Sequence, residues 1–145
     1  MFRKLVFAVA SASTLMLSTI ALAETAQYGT AQEARALLDR AIALLKAEGR
    51  EAIPQLDSDS FRDRDLYVFC SNASDSVSVV HPTDKGVRLY DYDFGKEVMQ
   101  NATEGEIKEI EYKWRRPGAD SDAPVEKLAY YTKVGDLICG VGHYK

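Results

Sequence analysis

VEKLAYYTKVGDLICGVGHY, residues 125–144, decides the fold of this chain. Its first ten residues are rich in β-branched and aromatic side chains, Gly135-Asp136 interrupts them, and an apolar run from Leu137 to Tyr144 follows, which reads as two strands in succession. Working back toward the N-terminus, residues 106–115 alternate and predict another strand, separated from the first two by the polar turn sequence 117–124. Residues 66–70 and 76–80 predict a hairpin, with 72–75 as its turn. By strand alternation Tyr67 shares a face with Phe69, and Tyr112 with Trp114. The bland reading of all four is core.

The region before the strands is helical. Thr30, Ala31, Gln32 and Glu33 form a capping box, in which the Thr30 hydroxyl and the Glu33 carboxylate satisfy amide hydrogens at a helix start. Ala34, Leu37, Leu38, Ala41, Ile42, Leu44 and Leu45 then recur at three- and four-residue intervals, and Gly49 is the expected stop. Residues 50–56 predict a short second helix containing Pro54, and 57–65 a polar loop around the apolar Phe61. Residues 83–95 read as a loop in which Tyr90, Tyr92 and Phe94 alternate with acids, followed by one or two helical turns over 96–103. One long helix, two strands, a short helical insert and three strands make an α+β chain with an antiparallel sheet.

Residues 1–23 read as a signal peptide: Arg3 and Lys4 precede a mainly apolar run, and Ala21 and Ala23 supply the small residues that a signal peptidase reads. A permanent anchor is the competing reading, because the run approaches the ~20 residues that span a bilayer. Cleavage leaves a single domain, 24–145, that is periplasmic or secreted and has no further membrane span. Loss of Arg3 and Lys4 takes the formal charge from −4 to −6. A mildly acidic chain with no basic block is unsuited to phosphate backbones, so nucleic acid is not an expected partner.

Chemistry finds little to work with. His81 and His143 are the only histidines, and the two cysteines are far apart, so no zinc spacing exists. Asp84, Asp91 and Asp93 lack the calcium-loop pattern with its closing glutamate. No serine stands in a nucleophile elbow, and Glu109 and Glu111 occupy a strand where exposed acids are ordinary. The expectation is no metal, no cofactor and no enzyme.

The strand Asp65-Leu66-Tyr67-Val68-Phe69, the pair His81-Pro82, Asp93-Phe94-Gly95-Lys96, Tyr112-Lys113-Trp114, Lys127 with Tyr130, and the ending Gly140-Val141-Gly142-His143-Tyr144 occur in an order that resembles the single Cache domain of type 2, a PAS-like extracytoplasmic sensor. The resemblance covers nearly the whole chain after the signal peptide. Cys70 in place of an aliphatic residue, the absence of an Asp-Gly pair over 71–76, and the absence of a tryptophan at 136–138 depart from the pattern. The resemblance implies a long N-terminal helix packed on a five-stranded antiparallel sheet with a short helical insert. It also implies a free-standing binder that holds a small organic metabolite such as a carboxylate in a pocket between sheet and insert, without chemistry.

On that reading Tyr112 and Trp114 are the pocket walls, Lys127 the charge partner, and His81, Tyr92 and Tyr130 hydrogen-bond donors. Lys127 and Tyr130 point oppositely on a flat strand, so both face one pocket only if a bulge intervenes. His81 is equally well read as a structural histidine bonded to its own loop. Because the first and last strands are neighbours in the implied topology, Cys70 and Cys139 are expected to form a disulfide, in keeping with export. A membrane receptor, or a homodimer through the N-terminal helix, would be a further partner. The alternative function is a protein–protein interaction module that uses that helix and carries a vestigial pocket; apolar positions beyond a single stripe would distinguish it.

Overall fold

Helix α1, Ala31–Glu48, begins at the capping box. Thr30 Oγ1 accepts from the Glu33 amide at 3.2 Å, and the Glu33 carboxylate accepts from the Thr30 amide at 2.8 Å. Gly49 ends the helix at a φ of +60°. The computed structural model describes residues 26–145, so the expected signal peptide, 1–23, lies outside the described residues.

Ala34, Leu37, Leu38, Ala41 and Leu45 are buried on α1, and Ile42 and Leu44 pack partly beside them. These residues form one stripe, seated on Leu66, Val68, Leu137, Val141, Cys70 and Cys139 of the sheet. Among the described residues the exposed large hydrophobics are Tyr28, Tyr90 and Tyr92, none of them on α1. A 3-10 turn, Gly49–Ala52, leads into the single-turn helix α2, Ile53–Leu56, with Pro54 in its first turn, where a missing N–H costs nothing. Phe61, the lone apolar residue of the following loop, is buried in the same core.

The sheet has six strands where five were expected: β1 Arg62–Asp63, β2 Leu66–Asn72, β3 Ser78–Val80, β4 Lys108–Arg115, β5 Pro124–Val134 and β6 Leu137–Tyr144. The order is β1-β2-β6-β5-β4, with β3 also on β2, all antiparallel. One edge of β2 is taken by β6, so β1, paired at Tyr67, and β3, paired at Cys70, share its other edge. The sheet therefore remains five strands wide. The extra strand comes from polar sequence that reads as loop. Arg64 takes a positive φ of 57° between β1 and β2, and ion pairs to Asp63 and Glu33, both at 2.8 Å, hold the turn.

Pairing between β4, β5 and β6 runs without a shift from Lys108↔Tyr131 to Arg115↔Pro124 and from Lys127↔Tyr144 to Val134↔Leu137. No bulge separates Lys127 from Tyr130, and the two therefore stand on opposite faces. Cys70 and Cys139 are directly opposed on β2 and β6 and are joined by a disulfide on the α1 side. The insert between β3 and β4 covers the other face through helix α3, Asp93–Asn101, whose Val98 is buried with Ile110, Tyr131 and Ile138.

Candidate functional site

The face turned away from α1 carries aromatic and polar side chains. Alternation brings Tyr67 and Phe69 of β2, Tyr144 of β6, Lys127 and Tyr131 of β5, and Tyr112 and Trp114 of β4 onto it. On β6 two positions of this face are Gly140 and Gly142. A Cβ at Gly140 would fall on the Phe69 ring, and one at Gly142 on Cε of Lys127. The glycine pair thus provides the space in which an aromatic wall and a lysine stem lie flat on the strand.

Lys127 is 1% exposed. Its Nζ donates to Tyr67 Oη at 2.8 Å and lies 4.2 Å from the Tyr67 ring centre, 5.0 Å from Tyr144, 5.5 Å from Phe69 and 5.6 Å from Tyr112. An ammonium has three N–H groups, and here one has an acceptor among the described residues. No carboxylate of the described residues forms a salt bridge with it. Burial pushes the Lys127 pKa down to about 7, against a weaker opposing pull from Asp65. The hydrogen-bond chain beyond it has a direction. Tyr144 Oη donates to the Arg115 carbonyl at 2.6 Å, which leaves it to accept from Tyr67 Oη at 3.3 Å, and Tyr67 in turn accepts from Lys127. Burial raises the pKa of both tyrosines, Tyr144 to about 12, so the chain is protonated at neutral pH.

Between this face and the insert lies a cavity of about 40 Å³, walled by Phe69, His81, Tyr92, Phe94, Tyr112 and Trp114. Since a water needs ~10–15 Å³ measured this way, the space suits a few waters or a ligand of a few heavy atoms. Phe94 stacks on Tyr112 with centroids 4.0 Å apart, and Trp114 meets Tyr92 at 5.3 Å and Phe94 at 5.7 Å, edge to face. Lys127 lies one ring deeper, behind Phe69 and Tyr112.

His81 is 8% exposed, and its Nδ1 accepts from the backbone amides of Thr83 at 3.2 Å and Asp84 at 2.9 Å. Two donors on Nδ1 assign the proton to Nε2, and burial lowers the pKa to about 4 despite the opposing pull of Asp84. The imidazole is neutral and organises its own loop, leaving Nε2–H without an acceptor among the described residues. Asp84 then fastens that loop to the sheet, accepting from Arg115 Nη2 at 3.0 and 3.2 Å.

Of the residues expected at the site, His81, Tyr92, Tyr112 and Trp114 line one cavity, and Lys127 stands behind two of its walls. Tyr130 does not join them. The unbroken register turns it toward α1, where its ring packs on that core with the Arg35 guanidinium 5.9 Å from its centre. Sequence reasoning also overlooked Phe94 as a wall, Tyr67 and Tyr144 as the polar partners of Lys127, and Asp84 as a fastening group. Strand alternation already grouped Tyr67 with Phe69; the cross-strand partner that makes Tyr67 polar rather than merely apolar comes from β5. Among the described residues no cluster of three or more His, Cys, Asp and Glu is placed to hold a metal.

Among solved structures, the periplasmic sensor domain of a chemotaxis protein superposes with a TM-score of 0.60 at 23% identity, covering 78% of this chain and 93% of that one. The chain has the sensor-domain fold. A second structure, a Cache chemosensory domain described for carboxylic acid recognition, aligns at 19% identity with a TM-score of 0.49, over 78% of this chain and 86% of that chain. No family model matches the chain, and no curated protein matches it in sequence.

Proposed function

We propose that this domain is an extracytoplasmic receptor that binds a small carboxylate reversibly in the aromatic cavity and performs no chemistry on it. A shared fold hosts many functions, so the reading rests on the site. The observation that carries it is Lys127, a buried amine inside four aromatic rings with no carboxylate partner among the described residues. An uncompensated buried cation is costly for stability, and a ligand anion supplies the missing charge. The cavity volume favours a ligand of a few carbons. Its carboxylate enters between Phe69 and Tyr112, where half-buried Tyr112 and Trp114 have room to yield, while Nε2–H of His81 and the Tyr92 hydroxyl serve as donors at the rim. The Cys70–Cys139 disulfide supports an oxidising compartment.

The reading is tested by calorimetric titration of acetate and propanoate into the protein and its Lys127→Met variant. The wild type is expected to bind and the variant to bind at least about tenfold more weakly, since a hydrogen-bonded charge contact contributes roughly 1.5–3 kcal/mol. Binding raises the Lys127 pKa, so affinity is level between roughly pH 5, where the ligand carboxyl is already ionised, and about pH 7, the free-state value of the amine, and falls by up to tenfold per unit above it. Equal affinity in the variant, or no binding of any small carboxylate, overturns the reading.

A further inference from the structure

Arg116 follows β4 and borders a second, larger groove of about 310 Å³. Residues 82–84 form one wall and 116–119 the other, and His81, Asp84 and Trp114 line both this groove and the aromatic cavity. The guanidinium is held in place: its centre is 4.0 Å from the Tyr28 ring centre and 5.2 Å from that of Tyr144, and its side chain is 18% exposed. Its Nε lies 3.2 Å from Asp65 Oδ2, yet neither atom makes a well-directed hydrogen bond. Nη1 and Nη2 donate to no acceptor among the described residues. One edge of the planar fork is backed by a carboxylate, and the other is unpartnered beside the groove.

The charge count points the same way. Asp65 is the one fully buried carboxylate among the described residues; its Oδ1 accepts from the Gly29 amide at 2.8 Å, and its charge acts on two cations, Arg116 in contact and Lys127 at longer range. Of the acids at the groove, Asp84 is paired to Arg115, and Asp122 sits exposed at the rim. We propose that this groove is a second anion subsite, in which Nη1 and Nη2 of Arg116 clamp a planar carboxylate. A guanidinium fork matches both oxygens of such a group at once, whereas a lysine offers a point charge. The carboxylate is either the far end of a dicarboxylate reaching from the cavity or a separate monocarboxylate. The spanning case rests on the ligand-binding reading; the groove's own site does not.

The test follows the Arg116 Nε–Hε resonance in the full chain during titration with acetate and with butanedioate, alongside calorimetry on Arg116→Gln and Arg116→Lys. We expect the resonance to move. A loss of about tenfold or more in butanedioate affinity in both variants assigns a spanning ligand, and a fall from two acetates per chain to one assigns a separate site. If Arg116→Gln unfolds because Asp65 is stranded, the Asp65→Asn/Arg116→Gln double variant takes its place. A stationary resonance with unchanged affinity and stoichiometry overturns the subsite. Lys127→Met separates the two readings: an Arg116 response that survives there, with no cavity binding in the wild type, keeps the groove and overturns the cavity, while silence at both overturns both.

Discussion

The two faces of one sheet differ in what holds them. Toward α1 the contacts are mainly aliphatic, joined by the rings of Phe61 and Tyr130, closed by a disulfide, and free of buried charge; away from α1 the sheet face and its flanking loops present stacked rings, a lysine in an aromatic cage, a neutral histidine and the Arg116–Asp65 pair. Adjacent residues such as Val68 and Phe69, or Cys139 and Gly140, serve opposite purposes because side chains alternate along a strand. The aliphatic core and the proposed binding face are thereby separated by one residue step, and the polar face is free to carry a destabilising charge because the other face compensates for it.

Removing the disulfide should have the largest effect. The Cys70→Ala/Cys139→Ala protein is expected to lose about 4 kcal/mol in denaturant unfolding, the chain-entropy value for closing a loop of this length. Its carboxylate affinity, measured on the folded fraction, should be unchanged. A matching loss of affinity would break the separation of the two faces.

Lys127→Met should act with the opposite sign. The native lysine has a pKa of about 7 against an ordinary 10.5. The unfolded chain therefore binds more protons between those values, and wild-type stability rises with pH across that window. The variant is expected to be more stable than wild type by up to roughly 4 kcal/mol at pH 7, with the advantage shrinking toward pH 10.5. Parallel unfolding curves at several pH values measure this, and a destabilised variant would show that the amine is already satisfied.

The smallest effect is expected at the fastening of the insert. Arg115 is 49% exposed, so Arg115→Gln should change stability by less than about 1 kcal/mol. Its loss frees the 81–84 loop over the cavity, and ligand dissociation in stopped flow should quicken. An unchanged rate would mean that the aromatic contacts of Tyr92 and Phe94 hold the insert by themselves.

Much of the fold was legible before any coordinates. The capping box at Thr30 and Glu33, the α1 stripe and the last three strands are local patterns, and local sterics and hydrogen bonding decide them. The sixth strand was not legible, because Arg62 and Asp63 look like loop and pair only once Arg64 is pinned by Glu33 from α1. The site was half legible. Tyr112 and Trp114 share a face by period alone, but the expectation that Tyr130 joins Lys127 depended on a bulge that the continuous β5 ladders exclude. Nothing around Arg116-Pro117 in the chain marks the groove; its partners Tyr28, Asp65 and Tyr144 lie far from it in sequence.

The sequence by itself determined which residues are helical, which are extended and which alternate together, since these depend on neighbours within a few positions. Only the tertiary structure decided which face carries the candidate site, because a cation's unmet need for a counter-charge exists only after distant strands have removed it from water. Lys127 is an ordinary lysine in the chain and a buried, caged amine in the fold because Gly142 makes room for its stem, Tyr67 meets its amine, and no carboxylate among the described residues pairs with it.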